Sequence, residues 1–563
     1  MPKQSRLVFT ALSTLSAVCA LALISTSSIA APDPAAGIAA PAPQEPPTLG
    51  GPATFRRLDE AQYANSIADI FDNSVKIPGR FDPPWREDGL LAIGDGKVVV
   101  SPSGLEQDEL RARNISAQVL AEDHRATVVS CAPPSAVAFD ESCASQFIGK
   151  YGRLIYRRPL DQDELRSVMQ LARAAAKQTG DFNKGLETAL ARLLASPNFI
   201  FRVEHVQTDP DTGRTRLDDY SVAARISFLL WNAPPDETLL DAAASGALRE
   251  KRGLETQVER LMASPHFEQG MRAFFSDMFA YERFDNLSKD QSLFPIYSSQ
   301  LAKDAREQAL RTTLDLLLTN NGDYRELFTT KKTFMNRNMG ALYGVAIEEG
   351  GVGGWAPYTF DADDHRAGLL TLAGFLMLDP SHEGRSSPTI RGKSVREIFL
   401  CQKVPAPPGA VDFKLVEDTH NPINKTARER LTVHRENPVC AGCHSVMDPI
   451  GLSMENYDAI GDYRIVENGA PIDASGTFNG KSYKDVIELE KVMHDSASLT
   501  SCLAKRVYEY GAGRSVTNDE KEWIEYLNQR FAAEKYGVPS LLRIVATSQA
   551  FQAVSAATKV AAN

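Results

Sequence analysis

The chain has 563 residues, of which 43% are hydrophobic and 24% charged. That is ordinary globular composition, and it excludes a disordered chain, a collagen-like repeat and a polytopic membrane protein. The formal net charge of −11 is spread along the sequence and argues against nucleic acid or an anionic membrane as the main partner.

Lys3 and Arg6 precede the mostly apolar run Leu7–Ile24, and Ser28-Ile29-Ala30 places small residues where a signal peptidase reads. Residues 1–30 are therefore predicted to be a secretory signal peptide. Thr10, Ser13, Thr14 and Ser16 interrupt the run, which weakens the rival reading of an uncleaved anchor helix. A lipid anchor on Cys19 is disfavoured by the bulky Val18 before it. Residues 31–52 are rich in Pro and Ala without apolar periodicity and read as a disordered linker. No later stretch is apolar enough to span a membrane. The mature chain is expected in the periplasm or outside the cell, with no transmembrane segment and no nucleic-acid partner.

Beyond the linker, apolar residues recur at helical spacing nearly throughout. The domain divisions read from composition and punctuation are an N-terminal helical domain at 53–127 and a second at 128–206. A central helical domain follows at 207–348, then the segment 349–480, which reads as haem-binding because it holds Cys440-Ala441-Gly442-Cys443-His444, the attachment pattern of c-type haem, and a C-terminal helical domain at 481–563. Leu165, Val168, Met169 and Ala172 form one stripe over 161–178, and Asp161 with Glu164 resembles a capping box. Val222, Ile226, Leu229 and Leu230 repeat the pattern over 218–231. Leu499, Cys502, Leu503, Val507 and Tyr510 do so over 499–510, where Gly511 and Gly513 are expected to stop the helix. The best short strand candidates are Lys97–Val100 and Gly469–Phe478. The predicted fold is mainly α, a multi-segment helical body with a cytochrome c-like helical region towards the C-terminus and few short strands.

Seven cysteines occur, and Cys19 leaves with the signal peptide. An oxidising compartment favours pairing of the rest. Cys131 and Cys143 are twelve apart and suit a local disulfide. Cys401 ends one helical pattern and Cys502 lies on the apolar face of another; they bridge two helices or remain two buried thiols, and the sequence leaves both open.

Cys440-Ala441-Gly442-Cys443-His444 is the strong chemical motif, because C-x-x-C-H is the attachment sequence of c-type haem. Two thiols at this spacing add to the two vinyl groups of one porphyrin, and the following His supplies an axial nitrogen. The rivals are a thioredoxin-like redox pair, which wants a strand-to-helix context, and half a zinc site, which wants a second Cys/His pair nearby. Neither context is present in the sequence. One covalent haem c on Cys440 and Cys443, with His444 as proximal ligand, is the expectation.

Several further blocks carry a family resemblance. They are Arg57-Leu58 with Glu60, Tyr63, Asn65 and Ile67; Tyr156-Arg157-Arg158-Pro159-Leu160 and Ser196-Pro197-Asn198-Phe199; and Arg225, Ser227, Phe228, Leu229, Trp231 and Pro235-Asp236. They continue with Gly368-Leu369-Leu370, Ser386-Ser387-Pro388, Arg391-Gly392, the haem motif running into Met447-Asp448-Pro449-Ile450-Gly451, and Tyr510-Gly511-Ala512-Gly513-Arg514. In this order, over about residues 54–555, the chain resembles the planctomycete-cytochrome-type family of secreted bacterial proteins. That family is assembled from domains of unknown function of the series 1587, 1595, 1592, 1588 and 1585. The resemblance implies a helical, exported, haem-bearing architecture and no particular substrate. Asn232 stands where members often carry Gly or Ser.

The sixth ligand separates function classes, because an open iron position permits ligand chemistry whereas a second strong ligand makes an electron carrier. Met447, three residues after His444, shares the proximal side of a helix. Met454 reads as a core residue. His382, in a polar loop remote in sequence, and His434 are the distal candidates. Arg385, Arg391, Arg435 and Arg464 are candidate propionate partners, or solvated surface charges. Asp209-Pro210-Asp211-Thr212-Gly213 reads as a polar turn rather than a calcium loop. Asp361, Asp363, Asp364 and His365 read as a hydrated loop, and Gly350–Gly354 as a flexible turn.

The leading function is periplasmic electron transfer by a single-haem c-type cytochrome-like protein to or from an unknown redox partner. The alternatives are a haem-dependent oxidoreductase or peroxidase acting on an extracellular substrate, and a haem-carrying structural or binding protein. No catalytic acid–base pair stands out. A single-haem carrier needs only about 100 residues, so the long stretch before Cys440 calls for partner docking or substrate binding.

Overall fold

The structure is a computed structural model and describes residues 44–97, 100–133, 137–209, 213–347, 354–379, 385–405, 418, 421–436 and 438–555. The predicted signal peptide, most of the predicted linker, the middle of the strand candidate Lys97–Val100, residues 350–353 and His382 lie outside the described residues. Helix accounts for 57% of the described residues and strand for 9%, so the fold is mainly α with few short strands. No helix among the described residues is long and apolar enough to cross a membrane.

The predicted helices form where local sequence and burial agree. The 161–178 stripe is the helix Gln162–Thr179, opened by a full capping box between Asp161 and Glu164 and closed by Gly180 at φ 68°. The 218–231 pattern is the helix Asp219–Trp231. The 499–510 pattern is longer than its apolar stripe, Ala497–Ala512, and ends at Gly513 with φ 66°. Gly511 therefore lies inside this helix rather than stopping it. A Cβ there would come within 2.7 Å of the Phe551 ring, so close packing calls for the glycine. Asn232 follows the helix Asp219–Trp231 in the left-handed region, at φ 53°. Gly and Asn reach that region at least cost. Gln62 Nε2 donates to Asn232 Oδ1 at 2.8 Å, and Asn65 Nδ2 donates to its carbonyl at 2.9 Å.

Two large cores and a small cluster of Ala427, Leu431 and Leu452 organise the described residues. One, with Tyr63, Ile115, Phe147, Ile148, Leu190 and Phe199, lies among the helices Glu60–Ile70, Pro102–Val119, Glu141–Tyr156 and Phe182–Leu194. The larger one runs from Leu90 to Val554 and includes Phe275, Phe328, Phe399, Met454 and Trp523. The strands are six two-stranded pairings. The Gly469–Phe478 candidate is split between two hairpins, Ala470–Pro471 pairing with Val466–Glu467 and Gly476–Phe478 pairing with Lys481–Tyr483. Asp209 and Gly213 flank the turn of the hairpin Val206–Thr208/Thr215–Leu217.

Residues 44–52, the end of the segment read as a disordered linker, are held in place. Glu45 accepts the Ala550 N–H at 2.9 Å, and Gly51–Pro52 pairs in parallel with Val554–Ser555. The correction has a tertiary cause, since Pro and Ala composition says nothing of a strand waiting at the other end of the chain.

Both candidate cysteine pairs are disulfides: Cys131–Cys143, and Cys401–Cys502 with Cα atoms 5.3 Å apart. The second settles the alternative left open by the sequence. Cys401 sits just beyond the helix Pro388–Phe399 and ties it to the helix Ala497–Ala512.

Candidate functional site

Cys440, Cys443, His444, Met447 and Asp448 all lie on one helix, Pro438–Leu452. Positions 440, 443, 444 and 447 share a face at helical spacing, and 444 and 448 are one turn apart. Pro449 inside the helix removes one N–H and disturbs the backbone ladder. Side chains from outside the helix meet its carbonyls: Arg396 Nε donates to Val446 O at 2.5 Å and Tyr483 Oη to Pro449 O at 2.7 Å.

The helix is positioned by close contact with Pro388–Phe399. A Cβ on Gly392 would lie 2.0 Å from the Met447 carbonyl oxygen, and one on Gly451 would lie 1.6 Å from the Pro388 carbonyl oxygen. Only glycine at both positions permits this approach. The contact brings Thr389 beside Asp448, which is fully buried. Thr389 Oγ1 donates to Asp448 Oδ1 at 2.9 Å, and His444 Nδ1 lies 3.0 and 3.1 Å from the two carboxylate oxygens. The imidazole thus has its Nδ1 side fixed by a carboxylate that is itself fixed. A carboxylate in this position holds a ligand histidine in one orientation and raises its basicity.

Cys440 is buried, Cys443 is half-buried, and both are free thiols, while the other four cysteines among the described residues are paired. A Cβ on Gly442 meets nothing within 4 Å, so the helix is open at the middle of the motif. Val446 on the same helix is an exposed apolar side chain, 42% exposed. Two thiols, an oriented imidazole and uncovered apolar surface fit a porphyrin held through its edge. Among the described residues no group of three or more His, Cys, Asp or Glu is placed to hold a metal ion directly.

The other predicted ligands separate clearly. Met447 is buried on the His444 helix, one turn away and on the same face. Met454 is fully buried in the main core. His434 is the last residue of the helix Ala427–His434, and His382 lies outside the described residues. The arginines proposed for propionates have other partners. Arg391 is 1% exposed and donates to the carbonyls of Leu376, Met454, Tyr457 and Asp458. Arg464 Nη2 binds Glu455 at 2.9 Å and Ser386 at 3.1 Å. Arg385 lies 3.4 Å from Glu467, and Arg435 reaches Thr432 at 3.3 Å. Around this frame burial pushes the Glu455 carboxyl up, against the pull of Arg464 and Arg391. In the acidic 361–365 loop, Lys331 Nζ donates to the Asp361, Ala362 and Asp364 carbonyls, and the His365 ring stacks on Tyr463.

Asp448 and Thr389 were not singled out as site residues in the sequence. For Asp448 the signal is present, an acid four residues after the motif His within one helical stretch. For Thr389, 59 positions from Asp448, no local signal exists.

Four family models match consecutive parts of the chain, each described as a protein of unknown function. They are DUF1595 over residues 143–204, DUF1592 over 217–345, DUF1588 over 366–467 and DUF1585 over 479–551. These are planctomycete cytochrome-type domains, and their succession supports the assignment of the chain to that family. The opening block, residues 57–67, precedes all four matches. No curated protein and no solved structure matches the chain.

Proposed function

We propose that Cys440 and Cys443 hold one haem c through thioether bonds, that His444 is its proximal axial ligand, and that the protein is an exported electron-transfer protein of the periplasm or cell exterior. The observation that carries this reading is the pair of free thiols on one helical face beside an imidazole whose Nδ1 is anchored on buried Asp448. When bound, the haem supplies a one-electron couple. The chain does the rest: the thiols fix the porphyrin edge, Asp448 and Thr389 fix the His444 ring, and Val446 offers apolar cover. The two disulfides and the lack of a spanning helix among the described residues are compatible with an exported location. His382 and His434 are the distal-ligand candidates.

The Asp448–His444 contact favours a second reading, a haem-dependent oxidoreductase. A more basic axial histidine stabilises the oxidised metal, and this matters most where the opposite position is open.

The test is an absorption spectrum, oxidised and reduced, with intact mass, of protein exported in a host that matures c-type cytochromes. Covalent haem with low-spin bands supports the carrier, and His382→Ala or His434→Ala should then change the spin state. Covalent high-spin haem that binds cyanide supports the oxidoreductase. A mass without haem, while a control cytochrome matures in the same cells, overturns both readings. The Cys440→Ala, Cys443→Ala double variant should carry no covalent haem.

A further inference from the structure

The strand Phe55–Arg57 pairs antiparallel with Phe201–Val203 in a register that sets Arg56 directly opposite Arg202. Like charges facing each other across a ladder are unfavourable, and here both residues are buried, 2% and 8% exposed. Arg157, Arg158 and Arg225 join them around a small cavity of about 30 Å³, whose only lining carboxylate is Glu204. Five guanidiniums against one carboxylate is an unusual lining in a chain of net charge −11.

Four of the five have partners. Arg56 donates to the carbonyls of Tyr510 and Gly511, and Arg157 to those of Asn198 and Phe201, both at 2.6 Å. Arg158 forms a two-pronged pair with Glu164, and Arg225 does so with Glu204 at 2.8 and 2.6 Å. The Arg202 backbone pairs with Arg56 in the ladder, but its side chain makes no hydrogen bond among the described residues. Its guanidinium lies over the Phe228 ring at 4.5 Å, and its Nε is buried without a partner, as is that of Arg56. Glu204, Asp95 and Asp59 are within electrostatic range of Arg202, yet none is hydrogen-bonded to it: Glu204 is taken by Arg225 and the Thr54 N–H, and burial pushes both aspartate carboxyls up. A buried guanidinium nitrogen without an acceptor is costly unless something supplies the acceptor.

We propose that this cavity is a binding site for a small oxyanion of the carboxylate or phosphate type, with Arg202 as its principal ligand. The geometry suits the bidentate donor pattern of arginine, and the cavity size selects a compact anionic group over a large organic molecule. His205, which is exposed, and half-buried Tyr220 line its solvent side. Tyr156, Arg157, Arg158 and Asn198 of the family-like blocks line the site beside residues 202–205, 220, 221, 224 and 225, and it is independent of the haem assignment.

The exported full-length protein tests it by calorimetric titration and thermal unfolding with phosphate, sulfate and acetate, each against sodium chloride at matched ionic strength. A saturable response to phosphate or sulfate supports the site and identifies an inorganic oxyanion. A response to acetate alone supports it and identifies the carboxylate of an organic acid. In either case Arg202→Gln should abolish the response. His205→Glu, a surface change that leaves the fold intact, should weaken affinity by roughly tenfold or more through repulsion, and it decides the matter if Arg202→Gln does not fold. No saturable response in the wild type, or an unchanged response in His205→Glu and Arg202→Gln, overturns the proposal.

Discussion

His444 has one nitrogen spoken for, and the consequences can be measured. Its Nδ1 faces the buried Asp448 carboxylate, so Asp448→Asn should keep the shape of the contact while making the imidazole less basic. In the haem-loaded protein the reduction potential should then rise, as read by potentiometric titration. Thr389→Val, which removes one hydrogen bond to the carboxylate, should move it in the same direction by less. If neither variant shifts the potential, Asp448 is a packing residue. Other carboxylates speak to pH. Burial pushes Glu204 up, but the Arg225 and Arg56 charges and the Thr54 N–H outweigh it and hold the pKa at about 2. Glu520, also opposed by burial, is held at about 2 by Arg514 and Tyr508. Both folded values lie below the unfolded value of about 4.3. Their stabilisation is therefore complete above that value and lost as pH falls from about 4.5 towards 2. By linkage each contributes up to about 3 kcal/mol. Urea midpoints at pH 7, 4 and 3 should fall steeply across this window, and Glu204→Gln should flatten part of the slope while lowering stability at pH 7.

The decisive element is the helix pair Pro388–Phe399 and Pro438–Leu452, and its contact is set by two glycines. Gly392→Ala and Gly451→Ala each drive a methyl group into a backbone carbonyl. Overpacking of this kind costs about 1–3 kcal/mol or more. Denaturant unfolding should show that loss, and haem incorporation should drop because Thr389 is moved from Asp448. Gly442→Ala, with open space around it, should be neutral or gain up to about 1 kcal/mol of helix propensity. At this scale the sequence is a good guide wherever the signal is local. The Asp161/Glu164 capping box, the helix 219–231 and the single-helix placement of the C-x-x-C-H run are all written within a turn or two of themselves. Gly511 misleads, because a glycine demanded by a neighbouring ring, Phe551, looks the same in sequence as one that ends a helix. The arginines mislead for a related reason. Charge near a motif suggests a ligand contact, whereas Arg391 serves the carbonyls of Leu376, Met454, Tyr457 and Asp458, and only the fold shows where those carbonyls are.

Across the whole molecule the long-range connections are what the sequence conceals. The Arg56–Arg202 register, the Thr389–Asp448 contact and the pairing of residues 51–52 with 554–555 join positions too distant for any periodicity to reveal. Cysteine pairing is half legible: Cys131–Cys143 is local, whereas Cys401–Cys502 spans 101 positions and needed the helices to be placed. The two bridges should differ in worth. In the loop-entropy account a bridge closing about 15 residues contributes about 3 kcal/mol and one closing about 100 residues about 4.7 kcal/mol. Cys401→Ala with Cys502→Ala should therefore lower stability by roughly 1–2 kcal/mol more than Cys131→Ala with Cys143→Ala, as measured by guanidinium unfolding of both double variants. The reverse order would place the difference in native packing around Cys502 rather than in the unfolded chain.

The longer bridge also encloses everything from Gln402 to Ser501, the whole C-x-x-C-H helix included. A protease that cuts the backbone once anywhere in that stretch leaves both fragments tied covalently through Cys401 and Cys502. Such a nicked molecule runs as one band on a non-reducing gel and as two on a reducing one. A cut in the stretch that holds Cys440 and Cys443 would therefore leave it attached to the body that positions it.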